Sequence, residues 1–203
     1  MDLLVAAVTF GTIFVVELPD KTFIATLVLA TRYRPLLVWI GVGLAFAVQT
    51  GIAVALGGVA SLLPTHLVQT VAMLLFLGGA VLLLKEAREA RGVTDPTEGS
   101  EEYAARARDV TGYRVIGASF LVLFAAEWGD LSQLLTISLV ARYDAPLSVF
   151  VGALLALLAV SGLAVLVGRA LLARVRLPVL YTAGAVVCLG LASFTAYELF
   201  VAA

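Results

Sequence analysis

Glu17, Asp20, Glu127 and Asp130 are acids set deep in apolar surroundings, in two matching stretches that read Glu17-Leu-Pro-Asp20-Lys-Thr22 and Glu127-Trp-Gly-Asp130-Leu-Ser132. An ionised carboxylate in hydrocarbon costs at least about 2.5 kcal/mol on insertion scales, so acids inside apolar spans mark functional sites. Within each stretch the acids are spaced i and i+3, which on a helix puts both on one face about a turn apart. Each pair is half of a metal cage. The donors are all oxygen: four carboxylates, with Thr22, Ser132, Gln133 and local carbonyls as accessory groups. Hard oxygen donors suit Ca²⁺, Mn²⁺ and Mg²⁺ and offer nothing soft for Cu(I). Four clustered carboxylates repel one another, so when a cation leaves, protons take its place. Protons and a divalent ion competing for one site form the physical minimum for antiport.

A helix-weakening residue separates the acids of each pair, Pro19 in the first and Gly129 in the second. Pro19 has no N–H and its ring clashes with the Val15 carbonyl, which frees that oxygen to act as a further ligand. Broken helices are tolerated in membranes where the loosened backbone lines a cavity. Lys21 stands beside the acids, either as a structural ion pair or as a tethered cation when the metal is absent. Gln49 and Gln69 read as partners in hydrogen bonds between helices; Gln133, which follows the second pair, is the strongest exception. Glu198 falls near the end of the last apolar run and His66 in a short turn, and neither reads as a ligand.

The elements that position these acids follow from composition. Hydrophobic residues make up 62% of the 203-residue chain and charged residues 13%, with a mean hydropathy of +1.08; a soluble domain carries roughly 25% charged residues. The expectation is an all-α membrane protein of six transmembrane helices, near 3–31, 36–62, 67–84, 113–141, 146–168 and 178–201, each about 20 residues or more. The two acid-bearing runs are the longest, which fits tilted or broken helices. Met1-Asp2-Leu3 carries no basic segment, so the first run reads as a retained helix. The single cysteine, Cys188, excludes an intrachain disulfide or a Cys-based zinc site and reads as a small buried hydrophobe. The formal net charge of −1 points to no nucleic-acid partner. Arg32 and Arg34, the basic residues from Lys85 to Arg114, and Arg169, Arg174 and Arg176 fall on one side, and only Arg142 falls on the other. By the positive-inside rule the basic side is cytoplasmic and both termini face out, as expected in a bacterial inner (plasma) membrane. Residues 85–112 form a charged cytoplasmic linker, whose Glu101 and Glu102 read as solvated charge, between a first repeat at 1–84 and a second at 113–203.

The repeat is visible residue by residue. A shift of 110 superposes Glu17 on Glu127, Asp20 on Asp130, Thr22 on Ser132, Thr26 on Thr136 and Arg32 on Arg142. With one more residue inserted, Pro35 meets Pro146, Gly41 meets Gly152 and Thr50-Gly51 meets Ser161-Gly162. Three spans per copy is an odd number, so the second copy enters the membrane upside down, the plan of many secondary transporters whose sites lie at the midplane between repeats. The acids come about fourteen residues into their spans, or ~21 Å, close to mid-bilayer.

The doubled E-x-G-D-[K/R]-[T/S] signature in two three-helix repeats joined by a charged loop resembles the cation/proton exchangers that include Golgi Ca²⁺/Mn²⁺ transporters and bacterial manganese exporters, within the lysine-exporter superfamily. The resemblance covers essentially the whole chain. It implies a divalent cation/proton antiporter, not an enzyme, that exports Mn²⁺ or Ca²⁺ from the cytoplasm and needs no resident cofactor, with Glu17, Asp20, Glu127 and Asp130 as the cation site. Pro19 departs from the motif glycine of the first copy, and Leu131 from the basic residue of the second, leaving Lys21 without a counterpart. The superfamily tie leaves export of a cationic amino acid as an alternative, and a pair of the acids acting as a dyad leaves an intramembrane acid hydrolase. Oligomeric state does not follow from the sequence.

Overall fold

A computed structural model describes residues 1–18, 21–60, 62, 64–89, 110–174 and 177–200. All regular structure among them is helical: α1 (Leu3–Glu17), α2 (Lys21–Arg32), α3 (Pro35–Ala60), α4 (Thr65–Glu89), α5 (Arg114–Ala126), α6 (Leu131–Tyr143), α7 (Pro146–Arg174) and α8 (Leu177–Phe200). Local chemistry sets several of these ends. Asp2 caps α1 by accepting from the Leu4 and Val5 N–H groups at 2.9 and 3.2 Å, which satisfies donors that a helix start leaves open. Pro35 and Pro146 open the long helices α3 and α7, where a missing N–H costs nothing and the fixed φ already suits a helix. Asp144 ends α6 in the left-handed region at φ 47°, its N–H returning to the Val140 carbonyl at 3.0 Å.

The six apolar runs thus become eight helices among the described residues, because each acid-bearing run is broken at its motif. Lys85 to Glu89, expected in the linker, continue α4; the core of that linker, residues 90–109, lies outside the described residues. By length and composition two described helices can cross a membrane, Pro35–Ala60 and Pro146–Leu166, and a third span is counted if α5 and α6, bent by 74° across their break, act as one. The remaining apolar helices, Leu3–Glu17, Gln69–Lys85 and Tyr181–Tyr197, are shorter.

The distribution of side chains is that of a membrane protein. Along α3, Leu36, Ile40, Leu44, Val48, Ile52, Leu56 and Val59 recur at helical spacing and are all exposed, a continuous apolar face that water would penalise and lipid does not. Its opposite face buries Val42, Ala45, Phe46, Gln49, Thr50 and Ala53. Polar groups gather inside instead: Thr9, Glu17, Thr22, Thr26, Ser119 and Ser161 are completely buried.

Packing between the halves is reciprocal. The broken pair α1 and α2 lies against α7, the broken pair α5 and α6 lies against α3, and α4 runs along α8. A Cβ placed on Gly41 of α3 would press on the Ile116 carbonyl and meet the Ser119 Cβ at 2.9 Å; one on Gly152 of α7 would press on the Ala6 carbonyl and meet the Thr9 Cβ at 2.9 Å. Only glycine permits backbones that close. Where α3 crosses α7 the same exchange recurs: the Trp39 Nε1 lies 3.4 Å from a Cβ built on Gly162, and the Phe150 ring 4.0 Å from one built on Gly51. The Trp39 indole also donates to the Leu158 carbonyl at 3.1 Å.

Candidate metal centre

Glu17 is the last residue of α1, and Glu127 and Asp130 flank the break between α5 and α6. From positions 110 residues apart in sequence, the three come together: one carboxylate oxygen from each lies within 4.8 Å of the others. Two oxygens on one Ca²⁺-sized ion, at about 2.3 to 2.6 Å each, can stand at most ~5 Å apart, so the cluster has the span of a single coordination sphere. Glu17 is fully buried, Glu127 nearly so, and Asp130 half-buried. Three carboxylates so close, removed from most solvent, attract a divalent cation or protons in its place.

The local fold of the second motif is a reciprocal cap. Asp130, extended at ψ 173°, is the N-cap of α6, and its Oδ1 accepts the Gln133 N–H at 3.0 Å. Gln133 reaches back, its Oε1 accepting the Gly129 N–H at 3.1 Å, the logic of a capping box displaced by one residue. Ser132 donates its hydroxyl to Asp130 Oδ2 at 2.6 Å. Both oxygens of Asp130 are thereby fixed in direction. Gly129 supplies the turn at φ 76°, a left-handed conformation that side chains disfavour.

Glu17, Glu127 and Asp130 converge. Asp20 and Pro19 lie outside the described residues, as does the Lys21 side chain. Thr22 is fully buried in the first turn of α2 and its hydroxyl finds no hydrogen-bond partner among the described residues. Ser132 touches the cluster through Asp130, whereas the Gln133 side-chain oxygen is engaged in bracing the turn. The Val15 carbonyl lies against α8, 3.5 Å from a Cβ built on Gly184. Cys188 is a free thiol in the core, and His66 is exposed.

Two features were not read from the sequence. The Asp-x-x-Gln spacing from Asp130 to Gln133 is a capping signal that was legible but was absorbed into the ligand set. The other is a partner: the hydrogen bond between helices expected of Gln49 is present, donated from its Nε2 to the Phe124 carbonyl at 3.1 Å, but that partner lies 75 residues away and only the crossing of α3 and α5 brings it within reach.

A family model described as "Divalent cation/proton antiporter GDT1" matches residues 5–91 and 115–202, so each match contains one acidic motif. A GDT1-like protein of Synechocystis sp. is 34% identical over 140 residues, covering 66% of this chain and 68% of its own length. The chloroplast protein PAM71 of Arabidopsis thaliana is 33% identical over 184 residues, covering 81% of this chain and 49% of its own. A proposed manganese exporter of Vibrio cholerae is 33% identical over 168 residues, 81% of this chain and 76% of its own. This chain therefore spans about two thirds of the cyanobacterial relative and about half of the Arabidopsis one. No solved structure matches it.

Proposed function

Since the chain belongs to the GDT1 family of divalent cation/proton antiporters, we propose that it exchanges cytoplasmic Mn²⁺ or Ca²⁺ for protons at the carboxylate cluster. The observation that carries this reading is the meeting of Glu17 with Glu127 and Asp130 inside an apolar protein. Asp20, the repeat counterpart of Asp130, completes the ligand set. The ion is cargo. It binds when the acids are ionised, and protons occupy the acids on the return step, because an empty cluster of charges in a low-dielectric interior is too costly to reorient.

The two halves act as inverted three-helix repeats, residues 1–84 and 113–203 joined through 85–112, with the basic connections in the cytoplasm and both termini outside. Reciprocal seating of each broken pair on the long helix of the other half supports that plan. Alternating access follows when one half rocks against the other about the fixed cluster. Proposed cargo is Mn²⁺ or Ca²⁺ because the donors are hard oxygens, and the Vibrio cholerae relative carries a manganese-export description.

The test is flux of each ion through the purified full chain in proteoliposomes under an imposed pH gradient. Uptake of Mn²⁺ or Ca²⁺ coupled to counterflow of protons is expected; uptake that ignores both the gradient and a protonophore would leave a uniporter or channel as the better account.

A further inference from the structure

The two motifs are not equivalent at the main chain, and the difference centres on one side chain. In an unbroken helix the Phe124 carbonyl would accept the Trp128 N–H. Helix α5 ends at Ala126, its closing bond running from the Glu127 N–H to the Leu123 carbonyl at 3.0 Å, so the Phe124 oxygen is among the acceptors that a helix end leaves open. Gln49, on α3 and only 3% exposed, supplies the donor at 3.1 Å.

In the first half the same place is built otherwise. The repeat pairs Phe14 with Phe124, and Val160 with Gln49. Helix α1 runs one residue further than α5, and the Phe14 carbonyl takes its own chain's Leu18 N–H at 3.0 Å. Val160 packs with Phe23 and Ala164 against Phe14 and Leu18 and has no polar atom to offer. Glu17 is accordingly helical, whereas Glu127 stands beyond the helix at φ −101°, ψ 15°.

We propose that Gln49 is a positioning residue for the cation site: by capturing the Phe124 carbonyl from a neighbouring helix, it ends α5 one residue early and turns Glu127 toward Glu17 and Asp130. The two halves of the cluster are therefore unequal, with Glu17 held by its helix and Glu127 by a contact that α3 can make or release. Without the donor, the part-buried carbonyl is satisfied at least cost by taking the Trp128 N–H, which winds Glu127 back into the helix. This inference rests on the reading of the acids as the cation site.

The experiment measures equilibrium binding of Mn²⁺ and of Ca²⁺ to the full-length purified protein by calorimetry, alongside thermal unfolding. Gln49→Leu, similar in size but without a donor, should weaken binding about tenfold, the effect of losing one buried hydrogen bond. Gln49→Asn is polar yet a methylene short of the carbonyl, so it should weaken binding as well, and it decides the matter if the leucine variant fails to fold. Val160→Ala, which empties space at the matching place, should lower the unfolding temperature and keep wild-type affinity. Wild-type affinity in both Gln49 variants, with binding lost in Asp130→Asn, would overturn the positioning role and leave the acid site standing. An equal loss in Val160→Ala would reduce Gln49 to general packing and overturn the role too. Undiminished binding in Asp130→Asn would overturn the acid site and this inference with it.

Discussion

Asp130 has two separable duties, and substitutions divide them. As an N-cap it accepts the Gln133 N–H and the Ser132 hydroxyl; as an anion it stands within 4.8 Å of Glu17 and Glu127. Asparagine caps a helix about as well as aspartate, so Asp130→Asn should leave thermal stability within about 1 kcal/mol of wild type. Its divalent flux in proteoliposomes should nonetheless fall to that of empty vesicles, because the charge is gone. Asp130→Ala removes the cap too and should cost roughly 1 kcal/mol of stability beyond the same loss of flux. Flux at the wild-type rate from the asparagine variant would remove Asp130 from the ligand set. Gly129→Ala tests the turn itself: at φ 76° a Cβ is strained by about 1 to 2 kcal/mol, although nothing lies within 4 Å of it. A melting temperature unchanged by that substitution would show that the turn is not held in its left-handed form.

At the level of helices, much of the fold was legible because it depends on local rules. Pro35 and Pro146 gave the starts of α3 and α7 to within a residue, whereas α4 and α7 run on to Glu89 and Arg174, past the ends expected at 84 and 168; the helix-weakening residues marked both breaks before any packing was known. The convergence of Glu17 with the second pair was an expectation of symmetry, and the internal shift of 110 carried it. What the sequence concealed depends on crossings. Nothing in the chain tells that Gln49 meets Phe124, or that Gln133 turns its oxygen to Gly129 instead of to a cation. Glycines divide in the same way, since composition cannot tell a contact from an open surface. Gly41→Ala and Gly152→Ala should each destabilise by about 1 to 3 kcal/mol, as overpacking of a close interface does, because each Cβ would sit 2.9 Å from a facing Cβ. Gly78 has nothing within 4 Å, so Gly78→Ala should instead gain up to about 1 kcal/mol from helix propensity. Denaturation of the three variants in one detergent compares them directly, and equal shifts would contradict the packing.

For the whole molecule, an apolar exterior around the buried Glu17 and Glu127 means that, on the proposed function, proton and cation binding are two uses of one cluster. If a divalent ion prefers the ionised acids, protons must oppose that ion by the same free energy. Apparent cation affinity should therefore weaken as pH falls, and loading the protein with Mn²⁺ or Ca²⁺ should release protons into a weakly buffered solution. The direction of net transport then depends on which side is acidic, not on any asymmetry of the site. In inside-out vesicles made acidic within, cation uptake should rise with the imposed gradient and collapse when a protonophore dissipates it. The Asp130→Asn protein should neither take up cation nor release protons on its addition. A wild-type protein that bound the ion with the same affinity at every pH, and released no protons, would break the linkage on which exchange depends, whatever its affinity.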